Sequence, residues 1–178
     1  MKKKYDLTSI CLFVCLMLST LGLCGCSKIE SQDEDIFSAQ YIRTYHEISN
    51  KEAQAALIQT KEELDAFISK NIDTSVDVDF LDACAKYTKE YFSDNVLVII
   101  PRMENSGAIS HKITGAVYQD NTIYFTINRE VPDILSADMM GWHIIVELKD
   151  VEGLPSDTAI DVTYVDVKPE GFWWLDWF

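Results

Sequence analysis

The chain has 178 residues, of which 15 are Lys or Arg and 29 are Asp or Glu, giving a formal net charge of −14 and a pI near 4.4. Nucleic-acid binding relies on Lys and Arg to neutralise phosphates, so no nucleic-acid partner is expected, and anionic lipid headgroups repel the same charge. The length suffices for one domain that buries roughly two thirds of its unfolded surface, so a hydrophobic core can hold the fold without crosslinks.

Lys2, Lys3 and Lys4 precede an apolar run from Ile10 to Leu23. A charged start and a short apolar middle form the pattern of an export signal, and the run is shorter than the ~20 residues that span a bilayer. Leu23-Cys24-Gly25-Cys26 resembles the bacterial lipobox: an aliphatic residue, a small residue directly before the cysteine, and the cysteine itself. The resemblance implies that residues 1–25 are a lipoprotein signal peptide and that Cys26 is lipidated as the first mature residue. The expected address is the extracytoplasmic face of a cell membrane, with acyl chains on Cys26 as the membrane contact. Cleavage removes three lysines and Asp6, leaving 12 basic and 28 acidic residues, a formal charge of −16. The remaining cysteine, Cys84, sits in Leu81-Asp82-Ala83-Cys84-Ala85 and reads as a packed core thiol.

Residues 26–40 are polar and mostly acidic, with few apolar groups to bury, and read as a flexible acidic tether. A single domain is expected over 41–168, opening on a short strand at Tyr41–Tyr45. Thr60-Lys61-Glu62-Glu63 matches a capping box, and Leu64, Phe67 and Ile68 form one stripe, which predicts a helix to about Lys70. The acidic stretch Asn71–Asp82 lacks the glycine and the final glutamate of an EF-hand loop. Its carboxylates are expected in solvent, with Asp79 or Asp82 capping the next helical turns and a further turn at Lys89–Phe92.

Val96–Ile100 is a continuous aliphatic run, read as a central strand buried on both faces and closed by Pro101. His111–Tyr118 and Thr122–Asn128 flank Asp120-Asn121, residues that tolerate the positive φ of a tight hairpin. Trp142–Lys149 alternates, with Trp142, Ile144, Val146 and Leu148 inward and His143 and Glu147 outward, so His143 is expected in a surface ion pair with Glu147. Ala159–Val167 is the last strand. Helical pieces precede most strands, and few helices separate one strand from the next. The fold class is therefore α+β: a mainly antiparallel sheet of about five strands with one or two N-terminal helices packed on it.

Tyr87-Thr88-Lys89-Glu90-Tyr91-Phe92 leading into Asn95–Ile100, then Ser106-Gly107-Ala108-Ile109-Ser110-His111-Lys112-Ile113, then Asp138-Met139-Met140-Gly141-Trp142-His143-Ile144-Ile145 together resemble the PrcB-like domain family over roughly Ala55–Val165. Ala108 replaces the family's second serine, and Gly141 interrupts its helical turn before the tryptophan. The resemblance implies an exported module without a catalytic apparatus, which in some members supports a protease.

His46, His111 and His143 show no metal-ligand spacing, glycines are wrongly placed for a phosphate loop, and no Gly-x-Ser-x-Gly elbow is present. No cofactor, metal or catalytic residue is expected. A hydrolase with a cryptic histidine/carboxylate site is the alternative. Residues 169–178 form an aromatic tail containing Phe172, Trp173, Trp174, Trp177 and Phe178. Each ring can bury ~150–250 Å², so the tail is expected to fold over an open sheet face, dock on a partner or enter the membrane interface. With Ser106, His111 and Trp142, those five aromatics are the candidate partner-binding residues, and the expected partner is another envelope protein.

Overall fold

In the computed structural model, residues 37–44, 54–149 and 153–169 are described. The aliphatic run lies inside β3, Asn95–Glu104, which pairs antiparallel with β6, Met140–Lys149. These two strands form the middle of a four-stranded sheet, flanked by β1, Phe37–Thr44, beside β6 and by the three-residue β2, Ala56–Ile58, beside β3. A second sheet contains β4, Ser110–Gln119, then β5, Thr122–Glu130, then β7, Ala159–Val167. β4 and β5 are antiparallel, and β5 and β7 parallel. The class is α+β as expected, with the strands divided between two mostly antiparallel sheets.

The sheets stack face to face. Val96, Val98 and Ile100 of β3 and Ile144, Val146 and Leu148 of β6 meet Ile113, Ala116, Ile123, Phe125 and Ile127 of the second sheet. The opposite face of β3 and β6 presents Leu97, Ile99 and Ile145 to α1, Lys61–Asn71, and α2, Val78–Cys84, through Leu64, Phe80 and Cys84. This gives three layers: helices, four-stranded sheet, three-stranded sheet. Both faces of β3 and β6 are therefore dry, which is why Val96–Ile100 has no polar alternation.

Local chemistry explains most boundaries. Thr60 caps α1 by accepting from the Glu63 amide at 3.1 Å, while the Glu63 carboxylate reaches Gln59 N at 2.7 Å, one residue upstream of the reciprocal capping-box partner. Asp120 and Asn121 adopt φ of 50° and 58° and close the β4–β5 hairpin as expected.

Several expectations are corrected. Residues 37–40 belong to β1 rather than to a tether, because Phe37 and Ala39 join Tyr41 against the inter-sheet core. Residues 26–36, Cys26 included, lie outside the described residues. Pro101 does not end β3. The strand continues to Glu104 because β2 covers only Leu97–Ile99, leaving Pro101 with a single ladder neighbour, His143. The turn at Lys89–Phe92 is a short 3-10 segment at Tyr91–Ser93. Asp77, not Asp79 or Asp82, occupies the cap position of α2, and its carboxylate accepts from the Thr44 hydroxyl at 2.5 Å. His143 is buried against Phe80, with ring centroids 4.8 Å apart, because α2 covers the face of β6 whose alternation predicts contact with water. Glu147 instead accepts from Lys86 at 2.7 Å, Tyr87 at 3.0 Å and Gln40 at 3.2 Å. Cys84 is a buried free thiol, and burial pushes its pKa up to about 12. Among the described residues, no helix is long and apolar enough to cross a membrane.

Candidate functional site

Six strand ends meet at one end of the sandwich. Register pairs Thr44 with Gly141, Glu104 with Met140, Ser110 with Glu130, and Glu130 with Val167. At this end the side chains of β3 cross to the second sheet through Glu104, a carboxylate with 2% exposure. Arg129 of β5 grips it at both oxygens, Nε at 2.9 Å and Nη2 at 2.6 Å. Arg102 Nε reaches it at 2.8 Å, and His111 Nε2 at 3.1 Å. Burial alone would raise the Glu104 pKa, but the hydrogen bonds from His111, Arg129 and Arg102 outweigh it and hold the carboxyl far below the usual range. Arg129 also contacts Asp166 of β7 at 2.5 Å, so one guanidinium links three strands.

An aromatic wall backs this network. The His111 ring stands edge-on to Trp142 at 5.2 Å and to Tyr164 at 6.3 Å. Arg43 lies over Trp142 at 4.9 Å, and Arg102 over Tyr164 at 4.4 Å. Arg43, Arg102 and Arg129 are all the arginines of the chain; every other basic residue, histidines aside, is lysine. Arginine suits this position because its flat fork can bind a carboxylate at two points, as Arg129 does with Glu104, which an ammonium cannot do.

Above the network, the turn after β3 and the loop between β5 and β6 clamp each other. Ser106 Oγ accepts from the Ala108 amide at 3.2 Å and lies 2.9 Å from Ser136 Oγ. The Gly107 amide donates to Asp138 O at 3.1 Å and to Asp138 Oδ1 at 3.2 Å. A Cβ on Gly107 would fall 2.5 Å from Asp138 Oδ2, so a larger residue there would have to displace the Asp138 carboxylate. The Ser136 hydroxyl, with the Gly107 amide, lowers the pKa of the Asp138 carboxyl. On this clamped loop three large apolar side chains face solvent: Ile134 at 86%, Met139 at 61% and Leu135 at 45% exposure.

Ser106, His111 and Trp142 therefore all lie at this end. None of the three presents a free surface, since each is buried: Ser106 holds the clamp, His111 the carboxylate, and Trp142 the wall. Phe172, Trp173, Trp174, Trp177 and Phe178 lie outside the described residues, as does His46. His111 and His143 are kept apart by the four-stranded sheet, one inside the sandwich and one beneath α2. Among the described residues no hydroxyl or thiol hydrogen-bonds to His111 Nδ1, and no group of three or more His, Cys, Asp or Glu is arranged to hold a metal. Sequence reasoning misses Glu104, Arg129 and the apolar loop 131–139. The available signals are the scarcity of arginine and the paired Ile134-Leu135 in a segment with no strand pattern.

Comparison with protein-family models, with curated proteins and with solved structures gives no match. The geometry of this end is accordingly the basis for a functional reading.

Proposed function

We propose that the chain is a non-catalytic, lipid-anchored extracytoplasmic module that binds another envelope protein through the loop-bearing end of its sandwich. The observation that carries this reading is the exposure of Ile134, Leu135 and Met139 on a loop held by the Ser106–Ser136 and Gly107–Asp138 contacts. Apolar side chains presented on a fixed frame mark protein contact sites, because the ordering cost of binding has been met in advance. The buried Glu104–Arg129 network below supplies that rigidity. The lipobox resemblance at Cys26 adds the membrane address, and the likeness to the PrcB-like family is the reason to include a protease complex among the assemblies tested.

Two measurements test the reading. Mass spectrometry of native material is expected to show a mature chain beginning at an acylated Cys26; an unmodified cysteine or a retained leader would overturn the address. A photo-crosslinking residue at Leu135 in intact cells is expected to recover one envelope protein in stoichiometric yield, whereas the same probe at exposed Lys149 recovers none. Equal recovery at both positions would remove the loop from the interface.

A further inference from the structure

The last described residues run directly beside the apolar loop. The Val131 amide donates to Val167 O at 2.9 Å, and Lys168 is paired with Asp133. The last described residues therefore lie beside Val131 and Asp133, next in sequence to Ile134, at the end where Leu135 and Met139 are also exposed. Pro169 leads into Glu170-Gly171-Phe172-Trp173-Trp174-Leu175-Asp176-Trp177-Phe178. We infer that this aromatic segment docks on its own chain's Ile134, Leu135 and Met139, covering the loop when no partner is bound.

Reach, direction and chemistry support this occupant over others. Nine residues extend at most ~30 Å, so Trp173, five residues past Lys168, can reach Ile134 without crossing the sandwich. Gly171, two residues past Pro169, has the conformational freedom to reverse the chain toward the loop. The outer face of the three-stranded sheet is a less suitable seat. Its exposed large apolar residues are Tyr124 and Val165, set among Lys112, Thr126, Asn128, Asp161 and Thr163. The inference deepens the proposed function by making partner binding a displacement of the tail from that same surface, yet its test involves no partner, so each can fail without the other.

The test is acrylamide quenching of tryptophan fluorescence in the full chain held in nanodiscs. Trp142 is buried and gives a constant background, so changes report on Trp173, Trp174 and Trp177. Docking predicts a quenching constant at least twofold below that of a free Glu170–Phe178 peptide, rising toward the peptide value in I134E/L135E with unchanged circular dichroism. Nuclear Overhauser contacts between tail indole protons and the Met139 methyl group in the unsubstituted protein supply a second readout that needs no variant. A tail as quenchable as the peptide overturns the inference. So does shielding that survives I134E/L135E, which would place the tail on lipid or the outer sheet face, and so does shielding lost on dilution, which would place it on a second copy.

Discussion

Replacing Glu104 with glutamine tests whether the loop-bearing end is held together by one buried charge. The side chain keeps its shape, but one carboxylate oxygen becomes an amide group: with the carbonyl kept at Oε1, where Arg102, Arg129 and His111 donate, the amide hydrogens point at the Arg129 Nη2 donor that faces Oε2. Removing one partner of a buried ion pair costs ~3–5 kcal/mol because the remaining charge is left without compensation. Arg102 and Arg129 retain 34% and 16% side-chain exposure and can turn partly to water, which sets the expected loss for Glu104→Gln near the lower figure, about 3 kcal/mol. A domain of this size has a total stability of ~5–15 kcal/mol, so the midpoint in urea and the melting temperature should both fall clearly at pH 7. The difference between the two proteins should also depend on pH. In the folded protein the carboxyl is held well below its ordinary value of 4.5, so its contribution is fully present above that value and is lost as pH falls toward the folded pKa. Urea titrations followed by circular dichroism at pH 7, 5, 4 and 3 should show a constant gap down to about pH 5 that then narrows. A loss below about 1 kcal/mol at pH 7, or a gap that does not narrow in acid, would refute the assignment of Glu104 as the charge that joins the two sheets.

Four further outcomes are expected at other sites. Burial lowers the His143 pKa to about 4, against a partial opposing pull from Asp77, so the unfolded chain binds a proton between about pH 6.5 and 4 that the folded one refuses. His143→Leu should therefore remove up to about 3 kcal/mol of acid destabilisation across that window, measured as a flatter stability profile; an unchanged profile would contradict it. Cys84, buried and with its pKa pushed up to about 12, should resist alkylation at pH 8 until denaturant is added, as read by mass spectrometry. Thr60→Ala should cost about 1 kcal/mol in urea unfolding through loss of the α1 cap, and Thr60→Ser should restore most of it. Gly107→Ala should push the Asp138 carboxylate aside and loosen the clamp by removing the contact between the Gly107 amide and Asp138 Oδ1. Hydrogen exchange is expected to accelerate in the 105–109 turn and the 131–139 loop while the β3–β6 ladder stays protected.

The features legible in the sequence are those whose cause is local. The Asp120-Asn121 hairpin, the Thr60 cap and the Val96–Ile100 strand each depend on residues within a few positions of one another, and the structure has all three. Phe37, Ala39 and Tyr41 also carry a period of two, but the acids preceding them dominate the composition, which reads the start of β1 as tether. His143 misleads for a different reason. Its alternation with Trp142 is real, but the face it occupies is covered by α2, whose own sequence says nothing about which strand it will cover. Pro101 shows the same dependence on a neighbour, since whether it ends a strand is decided by how far β2 extends alongside. Glu104 is the least legible, because its cross-sheet partners come from β4 and β5 and neither stands at a helical or strand spacing that would suggest pairing.

The distribution of basic residues nevertheless carries that information in another form. With a net charge of −14, any basic side chain serves to moderate surface repulsion, and lysine fills that role at every position but three. Arg43 and Arg102 lie over Trp142 and Tyr164, and Arg129 spans both oxygens of Glu104, where its planar fork matters. Their convergence at one end, directly beneath the clamped apolar loop, links the scarcity of arginine to the position of the proposed interface. A chain that uses arginine only there has concentrated these directional contacts at the end that carries Ile134, Leu135 and Met139.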